Sequence, residues 1–141
     1  MTTDQPLVVR PQGPRVVAYG VALIGVVMTV VVAVSLPDYV RFANSEKVTM
    51  TLFAIMVLAV LHGVGRSYVK ADAAGVEVLN GYRTHRFTWD QVEGVSMREG
   101  APWPTLVTTD DERVMLFAIQ RTDGGGSRDV VRWLRAWADA A

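Results

Sequence analysis

The sequence predicts a membrane α-helical hairpin followed by an α+β domain, in which a curved antiparallel sheet of six to seven strands is capped by one C-terminal helix. Two apolar runs without a charged residue, Val16–Leu36 and Val48–Val64, indicate the hairpin. After residue 66, short alternating segments separated by turn residues are typical of an all-β module. Near the C-terminus, apolar side chains recur at helical spacing, which predicts the capping helix.

Each apolar run has the length of a membrane span. Val16–Leu36 has 21 residues and is apolar on every side, whereas a surface helix of a soluble protein keeps a polar face. Val48–Val64 has 17 residues, at the lower end of the about 17–25 that cross a bilayer core. The connection at 37–47 is short and polar, so the helices are expected to be antiparallel. The alternatives are buried core helices and, for the first run, a secretory signal peptide.

The predicted division of the chain is a flexible N-terminal arm at 1–15, a two-helix hairpin at 16–65 and a folded domain at 66–141. Three prolines in the arm favour the flexible segment. Two basic residues, Arg41 and Lys47, lie in the connection of the hairpin. Six flank the hairpin, namely Arg10, Arg15, Arg66, Lys70, Arg83 and Arg86. Because cytoplasmic flanks are enriched in Lys and Arg, both termini are expected in the cytoplasm and the protein in the plasma membrane.

Within the domain, turn residues separate six predicted strands. Asn80-Gly81 is a strong hairpin signal, and Asp72-Ala73-Ala74-Gly75 is typical of a tight turn. Residues 99–104 are expected to form a loop. The strands are expected at Ser67–Asp72, Val76–Leu79, Tyr82–Thr88, Val92–Arg98, Thr105–Thr109 and Arg113–Ile119.

The final helix is expected to begin after a glycine-rich loop, with Ser127 as its N-cap. Its apolar face consists of Val130, Trp133, Leu134 and Trp137, which recur at i, i+3, i+4 and i+7. Side chains of this size require a large apolar partner. The prediction is therefore that the helix closes the sheet and that Trp89, Trp133 and Trp137 form the core.

The residues that could support catalysis are few. There is no cysteine, which excludes thiolate zinc sites and cysteine nucleophiles, and the formal net charge is zero, so no global field favours nucleic acid. His62 lies at a span end, and His85 is expected to point outward from an alternating strand. Asp110-Asp111-Glu112 is typical of a solvated turn, and Gly124-Gly125-Gly126 lacks the lysine of a P-loop. We therefore expect no enzyme, no catalytic or metal site and no cofactor.

The candidate binding residues lie close in sequence to the membrane. Lys70, Arg83 and Arg86 could contact anionic lipid headgroups, to which each basic residue adds about 1 kcal/mol. The alternative is the ordinary basic bias of a cytoplasmic flank. Trp103, between two prolines, is either a core residue or an exposed contact for a partner.

Several motifs in the domain resemble a known family. They comprise Val69, Ala71, Asp72, Gly75, Val76, Val78 and Asn80, then Phe87, Trp89, Val92 and Val95, then Gly100 and Trp103, and finally Ala118, Ile119 and Gln120. This pattern resembles the bacterial pleckstrin-homology-like (PH-like) domain of small actinobacterial membrane proteins of the low-molecular-weight protein antigen type. The resemblance implies a partly open PH-like barrel after two membrane helices, without catalytic residues.

The functional hypothesis is a non-catalytic scaffold or interaction module, anchored in the membrane and holding its PH-like domain at the cytoplasmic face for an unidentified protein partner. The alternative is a sensor of anionic lipid headgroups that uses the basic residues near the membrane.

Overall fold

The computed structural model describes residues 6–37, 39–123 and 125–141. Three α-helices and seven β-strands make up the fold. In chain order they are β1 (Leu7–Val9), α1 (Gln12–Ser35), α2 (Asn44–Arg66), β2 (Tyr68–Asp72), β3 (Gly75–Asn80), β4 (Arg83–Phe87), β5 (Val92–Ser96), β6 (Thr105–Thr108), β7 (Arg113–Met115) and α3 (Gly125–Asp139). Single 3-10 turns at Trp89–Gln91 and Arg121–Asp123 precede β5 and α3.

The helices α1 and α2 pack against each other and expose most of their apolar side chains. Both are long and apolar enough to cross a membrane, judged by length and composition. In the most apolar stretches of α1 and α2, only 6% and 11% of the residues are buried. A core helix of a soluble protein would be mostly covered, and these two are not.

The seven strands form two antiparallel sheets. One has the order β1-β2-β3-β4 and the other β5-β6-β7, so the strands do not close into a single barrel. Because strand residues alternate between faces, Val69, Ala71, Val76 and Val78 all point into the core between the sheets. The predicted fold class, an apolar helical hairpin followed by a curved antiparallel sheet and a C-terminal helix, is confirmed.

The first strand corrects one prediction. The arm was expected to be flexible, but Leu7–Val9 pairs with β2 in antiparallel register, with Leu7 opposite Ala71. Leu7 is 7% exposed and belongs to the core. The first strand of the domain therefore precedes the helical hairpin in sequence, and the hairpin is inserted between β1 and β2.

The helix α3 packs on β5 and covers the core, as predicted. Trp89 and Trp133 are buried, and Trp137 packs half-buried beside them, with ring centroids 5.6 Å and 5.4 Å from those of the other two. The predicted cap is wrong, because α3 begins at Gly125 and Ser127 lies buried inside its first turn. The strand predicted at Arg113–Ile119 ends at Met115, although Leu116, Ala118 and Ile119 remain in the core.

Candidate functional site at the helix–domain junction

The helix α2 passes into β2 through a single residue. Ser67, which is buried, separates Arg66 at the end of α2 from Tyr68 at the start of β2. Its hydroxyl donates to the Gly63 carbonyl at 3.2 Å and accepts from the Gly81 amide at 3.0 Å. This hydrogen-bonded connection leaves no flexible linker, so the orientation of the sheet follows that of α2.

The turn between β3 and β4 contacts α2 through Tyr82. The Tyr82 hydroxyl donates to the Ala59 carbonyl at 2.6 Å, and the Arg66 guanidinium lies 5.3 Å from the ring centroid. The ring lies so close to Gly63 that a Cβ there would be 2.9 Å from the Tyr82 ring. A side chain at position 63 would therefore push the Tyr82 ring away from the helix.

The start of α1 joins the same junction through Tyr19. Its hydroxyl lies 3.1 Å from His62 Nδ1, and a Cβ on Gly65 would lie 2.8 Å from its ring. The His62 ring also lies near that of Tyr82, with centroids 6.4 Å apart. His62 thus sits between one residue of α1 and one of the sheet.

These contacts surround a cavity of about 480 Å³, the junction cavity, between the ends of the helices and the sheet. Most of its lining is apolar. The lining residues are Pro11, Pro14, Val60, Gly63, Val64, Ser67, Asn80, Gly81, Tyr82, Trp103, Phe117 and Gln120. Sequence reasoning missed this site, because its walls come from five separate parts of the chain.

Trp103 is one wall of the junction cavity. Its ring packs edge-on against Phe117 at a centroid distance of 5.0 Å, and its Nε1 donates to Met115 Sδ at 3.2 Å. It is half-buried and so lies between the two alternatives drawn from the sequence, a core residue and an exposed contact. A contact between Trp103 and a partner protein stays a prediction.

Asn80 lines the junction cavity and carries an unsatisfied polar atom. Its Nδ2 donates to the Met115 carbonyl at 2.6 Å, which sets the orientation of the amide. Its Oδ1 is buried and has no hydrogen-bond partner among the described residues. A buried acceptor without a donor is destabilising, so this atom weakens the packing of the junction.

The three predicted headgroup contacts do not form one surface. Lys70 and Arg86 both lie opposite Glu77, one on each neighbouring strand, and therefore share a face of the sheet. Arg83 lies opposite Asn80 and points to the other face. Of the three, Arg83 is the residue nearest the junction, and headgroup contact by any of them stays a prediction.

Glu77 is the centre of a polar network on that outer face. Its carboxylate accepts a short hydrogen bond from the Tyr68 hydroxyl. It also forms an ion pair with Arg86, whose Nε lies 2.5 Å from Glu77 Oε2. The hydrogen bond from Tyr68, followed by that from Arg86, lowers the pKa of the Glu77 carboxyl. The hydrogen bond between Tyr68 and Glu77 also raises the pKa of the Tyr68 hydroxyl. The carboxylate therefore neutralises part of the charge that Arg86 would offer to a lipid.

The two ends of the domain differ in charge. The end next to the helices, called the junction end, carries Arg10, Arg66, Arg83 and Arg98. The opposite end, called the far end, carries Asp72 at the end of β2, and Asp90, Asp110, Asp111 and Glu112 in connections between strands. The separation of charge was hidden in the sequence, where basic and acidic residues alternate along the chain and balance to zero.

His85 departs from its predicted outward position. It lies opposite Val78 on the core side of β4 and is half-buried. It stacks on Phe87, and its Nδ1 is 3.6 Å from Glu112 Oε1. Within residues 6–37, 39–123 and 125–141, no group of three or more His, Asp or Glu side chains is placed to hold a metal ion.

Comparison with known proteins gives relatives that match this chain over most of its length. The family model described as bacterial PH domain matches residues 66–137, about half of the chain. Uncharacterized proteins of Mycobacterium bovis and Mycobacterium tuberculosis are 27% identical over 139 residues, covering 94% of this chain and 90% of theirs. No solved structure matches the chain. The resemblance inferred from the sequence motifs is confirmed, and its actinobacterial context fits.

Proposed function

This chain belongs to the bacterial PH-domain family, and we propose on that premise that it is a non-catalytic interaction module anchored in the plasma membrane. Its two apolar helices span the bilayer, both termini face the cytoplasm, and the domain is presented at the cytoplasmic face. PH domains are generally interaction modules rather than enzymes, which supports the same proposal.

Membrane spanning is supported by the exposure of α1 and α2. Their apolar side chains face outward along both helices, where water would make their exposure costly and a bilayer would not. A cleaved signal sequence is disfavoured because α1 packs along α2 and follows a strand of the folded domain.

The observation that carries the proposal is the joint between α2 and the sheet. Ser67 and Tyr82 tie the domain to the end of α2, which sets the junction end against the membrane and the far end away from it. A module held this way presents one fixed surface to the cytoplasm. That arrangement suits a scaffold, whose partner must meet the same surface each time.

A lipid-sensing role is the second candidate, and the basic junction end favours it. Arg66 and Arg83 lie where anionic headgroups would be, each adding about 1 kcal/mol to attraction. Lys70 and Arg86 contribute less, because Glu77 lies between them. Anchoring by two spans needs no lipid affinity, which ranks the sensor below the scaffold.

The topology is tested with cysteines, since the chain contains none. Ser45 and Ala141 are exposed and lie on opposite sides of the proposed membrane. An impermeant maleimide applied to intact cells should label Ser45→Cys and leave Ala141→Cys unlabelled until the cells are lysed. Labelling of Ala141→Cys alone would refute the orientation.

The scaffold is separated from the sensor by substitutions at the two ends of the domain. A crosslinked partner recovered with the full-length protein should be lost in Asp110→Lys with Glu112→Lys and retained in Arg83→Ser. The reverse pattern, in which the far-end variant keeps the partner and Arg83→Ser lowers the amount of anionic lipid that co-purifies with the full-length protein, would favour the sensor.

A further inference from the structure

The far end of the domain contains a second cleft, between the end of α3 and the turn that joins β2 to β3. It has a volume of about 420 Å³, and Trp89 and Trp137 line it. Much of the remaining lining consists of small, exposed side chains, among them Ala73, Ala74 and Ala140. Because these side chains are small, a flat group can enter beside the indole rings. We call this site the tryptophan cleft.

The aromatic walls of the tryptophan cleft are held in place by the fold. Trp89 and Trp137 are stacked, with ring centroids 5.6 Å apart and an angle of 22° between the ring planes. Trp89 Nε1 donates to the Asp72 carbonyl at 2.7 Å, which fixes the orientation of that ring. A rigid aromatic surface binds a ligand without first having to be ordered, so little conformational entropy is lost on binding.

The surroundings of the tryptophan cleft are acidic. Asp90 lines it and is exposed, and Asp72 lies beside Trp89. The Thr109 amide donates to the Gln91 carbonyl at 3.0 Å, which holds the acidic turn between β6 and β7 next to the connection that carries Asp90. None of the residues that line the cleft is basic. The local field therefore attracts cations and repels phosphate groups, which disfavours nucleic acid and anionic lipid as ligands.

Indole faces beside a carboxylate have the chemistry that binds an arginine side chain. A guanidinium stacks on an aromatic ring, and its N–H groups donate to a carboxylate at the same time. A single small cation would gain only one exposed ion pair and one ring contact, which is weak. A segment with several basic residues would meet the cleft and the neighbouring acidic turn together. The charge complementarity therefore favours a basic stretch of another protein as the occupant.

We propose that the tryptophan cleft binds a basic segment of a cytoplasmic protein. One arginine of that segment lies against Trp137 and pairs with Asp90, and its basic neighbours lie over the turn between β6 and β7. The proposal rests on the proposed function, because the far end meets cytoplasmic proteins only in the orientation given above. It names the chemistry of the partner that the scaffold holds.

The test is binding of a labelled tetra-arginine peptide to the full-length protein in an uncharged detergent. A tetra-citrulline peptide is the control, since it has nearly the same shape without the charge. Fluorescence anisotropy gives the affinity. The peptide contains no tryptophan, so a change in tryptophan emission reports contact with the protein's own rings. We expect tetra-arginine to bind at least about tenfold more tightly than tetra-citrulline and to quench this emission. Equal affinity for the two peptides, no binding, or binding without quenching would overturn the proposal.

Two pairs of variants localise the peptide. Ala140→Lys places a competing cation at the cleft, whereas Ser96→Lys adds the same charge on exposed β5, towards the junction end. Asp90→Asn removes the carboxylate that lines the cleft, whereas Glu93→Gln removes an exposed carboxylate that does not line it. We expect the first variant of each pair to weaken tetra-arginine binding about fivefold and its control less than about twofold. Near-ultraviolet circular dichroism checks that each variant is folded. Equal weakening within both pairs would indicate diffuse attraction to the acidic end and refute the site.

Failure of this proposal is distinguishable from failure of the proposed function, because the peptide assay does not depend on orientation in a membrane. If tetra-arginine does not bind but the crosslinked partner is still lost from the far-end variant, the tryptophan cleft alone is refuted. Labelling of Ala141→Cys alone in intact cells would refute the orientation, and a cytoplasmic partner with it.

Discussion

Because the strand β1 precedes the hairpin and belongs to the core, we predict that one substitution near the N-terminus strongly lowers the stability of the domain. Leu7 is 7% exposed and packs in the core, opposite Ala71 of β2. Leu7→Ala removes about three carbon groups from it, each worth about 0.8 kcal/mol, before any cavity is counted. Because β1 is short and at an edge, its neighbours can partly relax, and we expect a loss of about 2–3 kcal/mol in the free energy of unfolding.

The measurement is urea unfolding of the full-length protein in detergent, followed by tryptophan fluorescence. All four tryptophans lie after residue 66, so their signal reports the domain and not the helices. Val8→Ala is the matched control, since Val8 is the next residue of β1 and is 51% exposed. We expect Val8→Ala to change the stability by less than about 0.5 kcal/mol. A loss below about 1 kcal/mol for Leu7→Ala, or equal losses, would show that β1 is not part of the domain core.

Two further predictions concern α3 and the outer face. Trp137→Ala removes a half-buried ring stacked on Trp89. In the same fluorescence assay it should lower the free energy of unfolding by about 3 kcal/mol, at the low end for large aromatic residues. A loss below about 1 kcal/mol would mean that α3 does not close the core. Glu77→Gln should destabilise the domain at pH 7, and the loss should shrink as the pH falls, because the lowered pKa of Glu77 stabilises the fold above the ordinary carboxyl pKa of about 4.3. This contribution is lost as the pH falls through the lowered value. A difference between the two proteins that does not change with pH would contradict the role of the charged carboxylate.

The predicted strands correspond closely to the structure where the signal is local. The predicted hairpin turn joins β3 and β4, although its two residues are Gly81 and Tyr82, one position later than Asn80-Gly81. The alternation of Val69, Ala71, Val76 and Val78 gives the buried face. Turn residues and period-two alternation act within a few residues of the chain. They are therefore readable without knowledge of the fold.

The binding residues were less accessible to the same reasoning. Strand alternation predicts that Arg83 and Arg86 point to opposite faces, and the register of β4 agrees. Only the pairing of β2 with β3 showed that Lys70 shares its face with Arg86, on either side of Glu77. Asn80 was singled out as a turn residue and as part of the family motif, but not as a residue of a site, although it lines the junction cavity. A signal for the junction did exist in Gly63 and Gly65, two glycines in the last turn of an otherwise apolar helix, where two tyrosines pack closely.

By itself the sequence determined the two apolar helices, the antiparallel sheet with its capping helix and the family, because run length, alternation and turn chemistry are properties of neighbouring residues. Only the tertiary structure decided that Leu7–Val9 completes the sheet, since three residues at an edge gain their stability from pairing with β2 more than 50 residues later. It also decided the junction cavity and the separation of charge between the ends of the domain. Both depend on which distant segments meet, and that is set by the packing of the sheet against α2.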